Sequence, residues 1–167
     1  MSTIEFVAYF KELHEKAKSG SLTPSERVRY DSARAQFVRL VMVSQQLGHA
    51  GETLRSNLRM AKMLKVELRP DEGPPLRLST MDLASGGFAV LLSGGMKVGK
   101  SVAFTLFLPN PNGGGTTPVT GRCVVASCRP QTALFRVSFR FEALPPPVQE
   151  QLDIALIDAV LERFAKT

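Results

Sequence analysis

The hydrophobic pattern changes period once, near Gly51, and no other feature of the 167-residue chain constrains its fold as much. Before that point apolar residues recur every three or four positions; after it they fall into short runs broken by Gly, Pro and Asn. A period of about 3.6 residues lays one stripe of a helix against a core, and a period of two lays one face of a strand there. The chain is therefore expected to begin with helices and continue as a sheet.

In the first part Ile4, Val7, Phe10 and Leu13 keep helical spacing up to Ala17, and Lys18-Ser19-Gly20 supplies a basic last turn and a stop. Thr23-Pro24-Ser25-Glu26 reads as a capping box, with Thr23 as N-cap, Pro24 in the first helical position and Glu26 reaching back. From there Tyr30, Ala33, Phe37, Leu40, Val41, Ser44 and Leu47 mark one face of a long helix ending near Gly48. Together they predict a helical hairpin, whose apolar stripe must dock on the rest of the chain, on a second copy or on another protein.

Six strand-like runs follow: Met63 to Arg69, Leu76 to Met81, Phe88 to Ser93, Ser101 to Leu108, Val119 to Ser127 and Ala133 to Phe141. Their number and spacing predict a small antiparallel barrel or sandwich. In the last run Phe135, Val137, Phe139 and Phe141 alternate with Arg136, Ser138 and Arg140, giving one dry face and one basic, polar face. Pro145-Pro146-Pro147 ends that strand. A helix from about Val148 to Phe164, with Leu152, Ala155, Leu156, Ala159, Val160 and Phe164 as its stripe, closes the chain.

The net charge is +6, and the excess sits in the middle: residues 51 to 144 hold twelve Lys/Arg against six Asp/Glu. Such a segment suits an anionic partner, although solvated surface charge gives the same count. There is no run of eighteen apolar residues and no signal-peptide order at Met1 to Glu5, so a cytoplasmic protein is expected. Cys123 and Cys128 lie five apart in a strand-like run, so they are expected on opposite faces, as buried thiols.

Conventional enzyme chemistry finds little support. His14 and His49 stand isolated in the sequence, no Cys/His cluster has metal spacing, and Asp71-Glu72 sits in a turn between Pro70 and Gly73. Gly94-Gly95-Met96-Lys97-Val98-Gly99-Lys100-Ser101 matches the phosphate-binding P-loop literally. That loop works only where a helix follows, so that amides and helix N-terminus surround the phosphate. Here Val102 to Pro109 reads as a strand, and the stretch is read as a hairpin turn.

Two strings remain: Arg55-x-x-x-Arg59, and Asp82-x-Ala84-x-x-Gly87 between two strands. Arginine offers a planar fork that binds phosphate and stacks on or donates to guanine, an ionised Asp accepts from guanine's donor edge, and glycine permits close backbone approach. With Leu64 to Leu68, Val98-Gly99, Val102 to Pro109 and Arg136 to Phe141 in that order, the chain resembles the PilZ domain family over roughly residues 52 to 144.

The resemblance implies an α+β fold in three parts: the helical hairpin at 1–51, a small six-stranded antiparallel PilZ-like β-barrel at 52–144, and a C-terminal helix at 145–167 packing on the barrel. It implies a non-enzymatic receptor for the bacterial second messenger cyclic di-GMP, with no metal or other cofactor. Arg55 and Arg59 would hold phosphates and guanine, while Asp82, Ala84 and Gly87 would line the other side. Ala84 stands where the family usually has Ser, which removes one hydroxyl contact. A second register places Arg59 at the first arginine position and Met63 at the second. The signal would pass to a protein partner through the hairpin or a barrel face, in motility, polarity or biofilm control, with no nucleic acid or membrane involved and a homodimer open. The alternative is a PilZ-like adaptor that has lost the nucleotide and works through protein contacts alone.

Overall fold

The computed structural model describes residues 2–47, 59–60, 63–110 and 113–165. It divides into two compact units, Met1–Leu58 with Ile157–Thr167, and Arg59–Leu156. The boundary falls within the last helix.

The first unit is built on α1 (Thr3–Ser19) and α2 (Pro24–Leu47), with the C-terminal half of α3 (Pro146–Ala165). The start and stop signals work as the residues dictate. Gly20 caps α1 in the left-handed region, at φ 71°, with its N–H on the carbonyls of Ala17 and Lys16. At α2 the Glu26 N–H donates to Thr23 Oγ1 (3.2 Å) and the Thr23 N–H to Glu26 Oε1 (3.1 Å), a complete capping box. The core is aromatic: Phe10 stacks on Phe37 (4.6 Å between centroids) and on Tyr30 (5.7 Å).

Burial is narrower than the periodicity suggests. Leu40 is 38% exposed although expected on the stripe, because α2 buries the single line Tyr30, Ala33, Phe37 and Val41, and Leu40 lies one position off it. Ile4 is exposed too, in the first turn of α1, ahead of the buried stretch that begins at Phe10.

The second unit is one antiparallel sheet: β1 (Arg59–Met60), β2 (Lys65–Arg69), β3 (Leu76–Ser79), β4 (Asp82–Ala84), β5 (Gly87–Leu92), β6 (Ser101–Pro109), β7 (Thr116–Gln131) and β8 (Leu134–Phe141). Their spatial order is β1-β4-β5-β8-β7-β6-β2-β3. The six expected strands are all present, and the short β1 and β4 join them. The Leu64 N–H donates to Thr80 Oγ1 (2.9 Å), the Thr80 N–H to the Leu64 carbonyl (2.8 Å) and the Met81 N–H to the Ala89 carbonyl (2.8 Å). These bonds tie the end of β3 to the start of β2 and to β5, and the sheet curls into a half-barrel.

Its concave side holds Val66, Leu68, Phe88, Val90, Phe104, Leu106, Val125, Val137 and Phe139, with Phe88 stacked on Phe139 at 5.1 Å. Each such side chain removed from water stabilises the fold by about 1.5–3 kcal/mol.

Two local expectations are corrected. Residues 93–100 form no hairpin, because β5 pairs with β4 and β8 while β6 pairs with β2 and β7; the stretch crosses from one strand to another that is not its neighbour. Cys123 and Cys128 do not face opposite sides. Val125 pairs with Phe139 and Ser127 with Ser138, so Ala126 is an extra residue, a bulge that shifts the alternation by one. Cys123 opposite Phe141 and Cys128 opposite Val137 therefore both face inward, the first buried and the second half-buried.

Candidate functional site

The strand register brings four of the expected site residues, Arg59, Asp82, Ala84 and Gly87, onto neighbouring strands. Arg59 lies opposite Ala84, Ala84 opposite Gly87, and Gly87 opposite Arg140, one row across β1, β4, β5 and β8. The next row runs from Asp82 to Ala89, Ser138 and Ser127, and the next from Leu91 to Arg136 and Arg129. Directly paired residues share a face. The intervening Leu83, Phe88, Val90, Val137 and Phe139 are buried in the core, which fixes these rows as outward.

Strands lie about 4.8 Å apart, so the backbones of Arg59 and Arg140 stand roughly 14 Å from each other. Between them are only Ala84 and Gly87, with at most one methyl group each. Two arginine positions thus flank a floor almost without side chains. The floor is closely surrounded, Ala84 being 7% and Ala89 3% exposed.

Asp82 occupies the second row with a half-buried carboxylate. Arg136 Nη2 donates to Asp82 Oδ2 at 3.5 Å, a loose contact beside the 2.7–2.9 Å typical of charge-assisted pairs. Across β7 and β8, Arg129 stands directly opposite Arg136, an arrangement of like charges that destabilises a sheet. Among the described residues neither Arg129 nor Arg140 has an ion-pair partner.

Gly87 has a structural reason to be glycine. A Cβ there would stand 1.9 Å from the Phe139 carbonyl oxygen and 2.9 Å from its carbon, so β5 meets β8 only because position 87 lacks one. Beside it, the Phe141 N–H donates to the Gly86 carbonyl (2.9 Å), and Gln149 Nε2 of α3 donates to the Ser85 carbonyl (3.2 Å). These bonds hold the turn joining β4 to β5 from two sides.

Of the residues singled out in the sequence, Arg59, Asp82, Ala84 and Gly87 come together on neighbouring strands. Arg55 lies outside the described residues, as does His49. Met63, which the second register would use, precedes β2 and is 79% exposed. Three basic residues that sequence reasoning did not name as site candidates, Arg136, Arg140 and Arg129, lie on the same face. The first two were signalled by their alternation with inward phenylalanines, whereas Arg129 is brought to the same face by the Ala126 bulge, which composition does not reveal.

His14 is not isolated, as its place in the sequence suggested. It is fully buried, with Nδ1 3.1 Å from the Tyr30 hydroxyl and Nε2 3.4 Å from Asp158 Oδ1; Lys18 Nζ donates to the same carboxylate oxygen at 2.7 Å. The His14 contact, and Lys18 after it, hold the Asp158 carboxyl below its ordinary range against the opposing effect of burial. The cluster joins α1, α2 and α3 within the first unit. After residues 94–100 comes strand β6 and not a helix, so the P-loop match lacks the structure that would bind phosphate. Among the described residues no group of three or more His, Cys, Asp or Glu could hold a metal ion, and no helix is long and apolar enough to cross a membrane.

The family model described as "PilZ domain" matches residues 53–158. No curated protein matches the chain. Among solved structures, the Bacillus subtilis inhibitor of motility MotI/DgrA is 22% identical with a TM-score of 0.57, covering 66% of this chain and 53% of its own. Escherichia coli YcgR in complex with c-di-GMP is 24% identical, TM-score 0.52, covering 67% and 47%. The K. pneumonia MrkH–c-di-GMP complex is 17% identical, TM-score 0.57, covering 70% and 57%. The chain thus spans about half the length of these structures, and at such identities the likeness is one of fold.

Proposed function

We propose that this chain, which belongs to the PilZ domain family, is a non-enzymatic receptor for cyclic di-GMP that passes the signal to a protein partner. The observation that carries the reading is the outward row Arg59, Ala84, Gly87, Arg140 with Asp82 in the adjacent row. A planar dinucleotide needs a floor without protruding side chains, cations at its edge for the phosphates and an acceptor for the donor edge of guanine. That face offers all three. Two of the structures it resembles, YcgR and MrkH, were solved with c-di-GMP, and a third is an inhibitor of motility, which supports motility or biofilm control as the setting.

In this reading Arg55 and Arg59 take the phosphates and guanine faces, Asp82 accepts from a guanine edge, and Gly87 keeps the floor low. Ala84 contributes its smallness and no hydroxyl. Residues 1–51 act as the output hairpin, 52–144 as the receptor barrel and 145–167 as a helix packed on it, in the cytoplasm, with the hairpin or a barrel face contacting the partner.

Calorimetry with the full chain is expected to show cyclic di-GMP binding in the micromolar range, abolished by Arg55→Ala with Arg59→Ala. If Arg55→Ala is silent while Arg59→Ala is not, the register through Met63 applies instead. A second reading, an adaptor that has lost the nucleotide, draws on Ala84 and on the Asp82–Arg136 contact that already engages the carboxylate. Absence of both heat and thermal shift with ligand in large excess would establish that reading and sink the receptor.

A further inference from the structure

We infer that Arg136 and Arg129, which lie outside the motif residues, form a second anion-binding wall of the site and take a phosphate of the bound dinucleotide. The inference rests on the receptor reading above and adds to it the side from which the second phosphate is held.

Three observations lead there. Arg136 is half-buried, with 29% of its side chain exposed, and its one ionic partner among the described residues is Asp82 at 3.5 Å. A guanidinium carries five N–H donors in a rigid fork, so a single loose contact leaves most of that capacity unused in a partly dehydrated place. Arg129 stands directly across the β7–β8 ladder, where Cβ atoms are about 5 Å apart, and among the described residues it has no ionic partner. Two facing guanidinium groups repel each other unless an anion lies between them, and a phosphodiester fits bidentately into such a pair.

The third observation is position. Asp82 lies one row from the Arg59–Ala84–Gly87 floor, and Arg136 touches Asp82, so an anion on Arg136 lies beside a base held by Asp82. Cyclic di-GMP carries two phosphodiesters on one ring, with bases to either side. Arg59 flanks the floor at β1, and the β7–β8 pair flanks it from the opposite side. The carboxylate then has two states: paired with Arg136 before binding, and turned to guanine once phosphate neutralises the arginine.

The test is a double-mutant cycle read by calorimetry with cyclic di-GMP, each variant being checked for an unchanged melting temperature. Arg136→Ala is expected to weaken binding about tenfold or more, and to do so in the Asp82→Asn background as well. Arg129→Ala, an exposed position whose loss removes like-charge repulsion, is expected to weaken binding several-fold without loss of stability, and it keeps the test open if Arg136→Ala fails to fold. Both variants should flatten the salt dependence of Kd. Unchanged affinity in either variant overturns the inference while leaving the receptor intact. An effect of Arg136→Ala that vanishes when Asp82 is already Asn overturns it too, because Arg136 would then only orient the carboxylate. A wild-type chain that binds no cyclic di-GMP overturns the receptor reading and this inference with it.

Discussion

Gly87 shows how one position can belong to a motif and to the scaffold at once. Its missing Cβ is demanded by a backbone oxygen 1.9 Å from where that atom would be, and backbone in a paired strand has nowhere to retreat. Gly87→Ala is expected to destabilise the chain by at least about 3 kcal/mol in urea unfolding, whatever it does to ligand. Loss of binding in that variant would therefore report a broken β5–β8 pairing, not a lost contact. The cysteines teach the opposite lesson. Their spacing predicted opposite faces, yet Ala126 turns both inward, and burial, with Glu142 adding to it, pushes the Cys123 thiol up to about 12. A bulge leaves no mark in a two-residue pattern, because the extra residue is an ordinary alanine.

Among elements, the helices were the most legible. The capping box of α2 and the glycine stop of α1 are local signals, written within a few residues, and both form as their chemistry requires. Asp158 was not legible, because its partners His14 and Lys18 are some 140 residues away in sequence. That carboxyl sits below its ordinary 3.8 in the folded chain, and Glu26, held by Lys16 at 2.6 Å and by Thr23, falls from 4.5 to about 2. A carboxyl whose folded value is depressed stabilises the fold above its unfolded value, and that stability is lost as pH falls through the folded one. Melting temperature is thus expected to drop as pH falls from about 4.5 towards 2. Asp158→Asn should flatten the lower part of that profile, and Glu26→Gln should alter it only slightly, since its partner Lys16 is exposed and the pair is screened by water and salt.

At the scale of the whole molecule, the change of period near Gly51 predicted a helical part followed by a sheet, and the chain has both. The path of the sheet was harder to read, since the 93–100 connection looks like a turn in sequence and crosses strands in space. In the proposed receptor reading, cyclic di-GMP at a hundred times Kd is expected to add about 2.7 kcal/mol to the stability of the native state, read as a rise in melting temperature. The second anion-binding wall proposed above hangs on a residue that takes no part in it. Ala126 acts on β7 as an inserted letter acts on a reading frame. Everything upstream of it alternates in one phase, everything downstream in the other, and Arg129 is exposed only because of the shift. Remove that alanine and the downstream strand is read out of phase, with the guanidinium of residue 129 turned into the phenylalanine core and a thiol offered to the outer face in its place. A methyl group with no chemistry of its own decides which message the sheet displays.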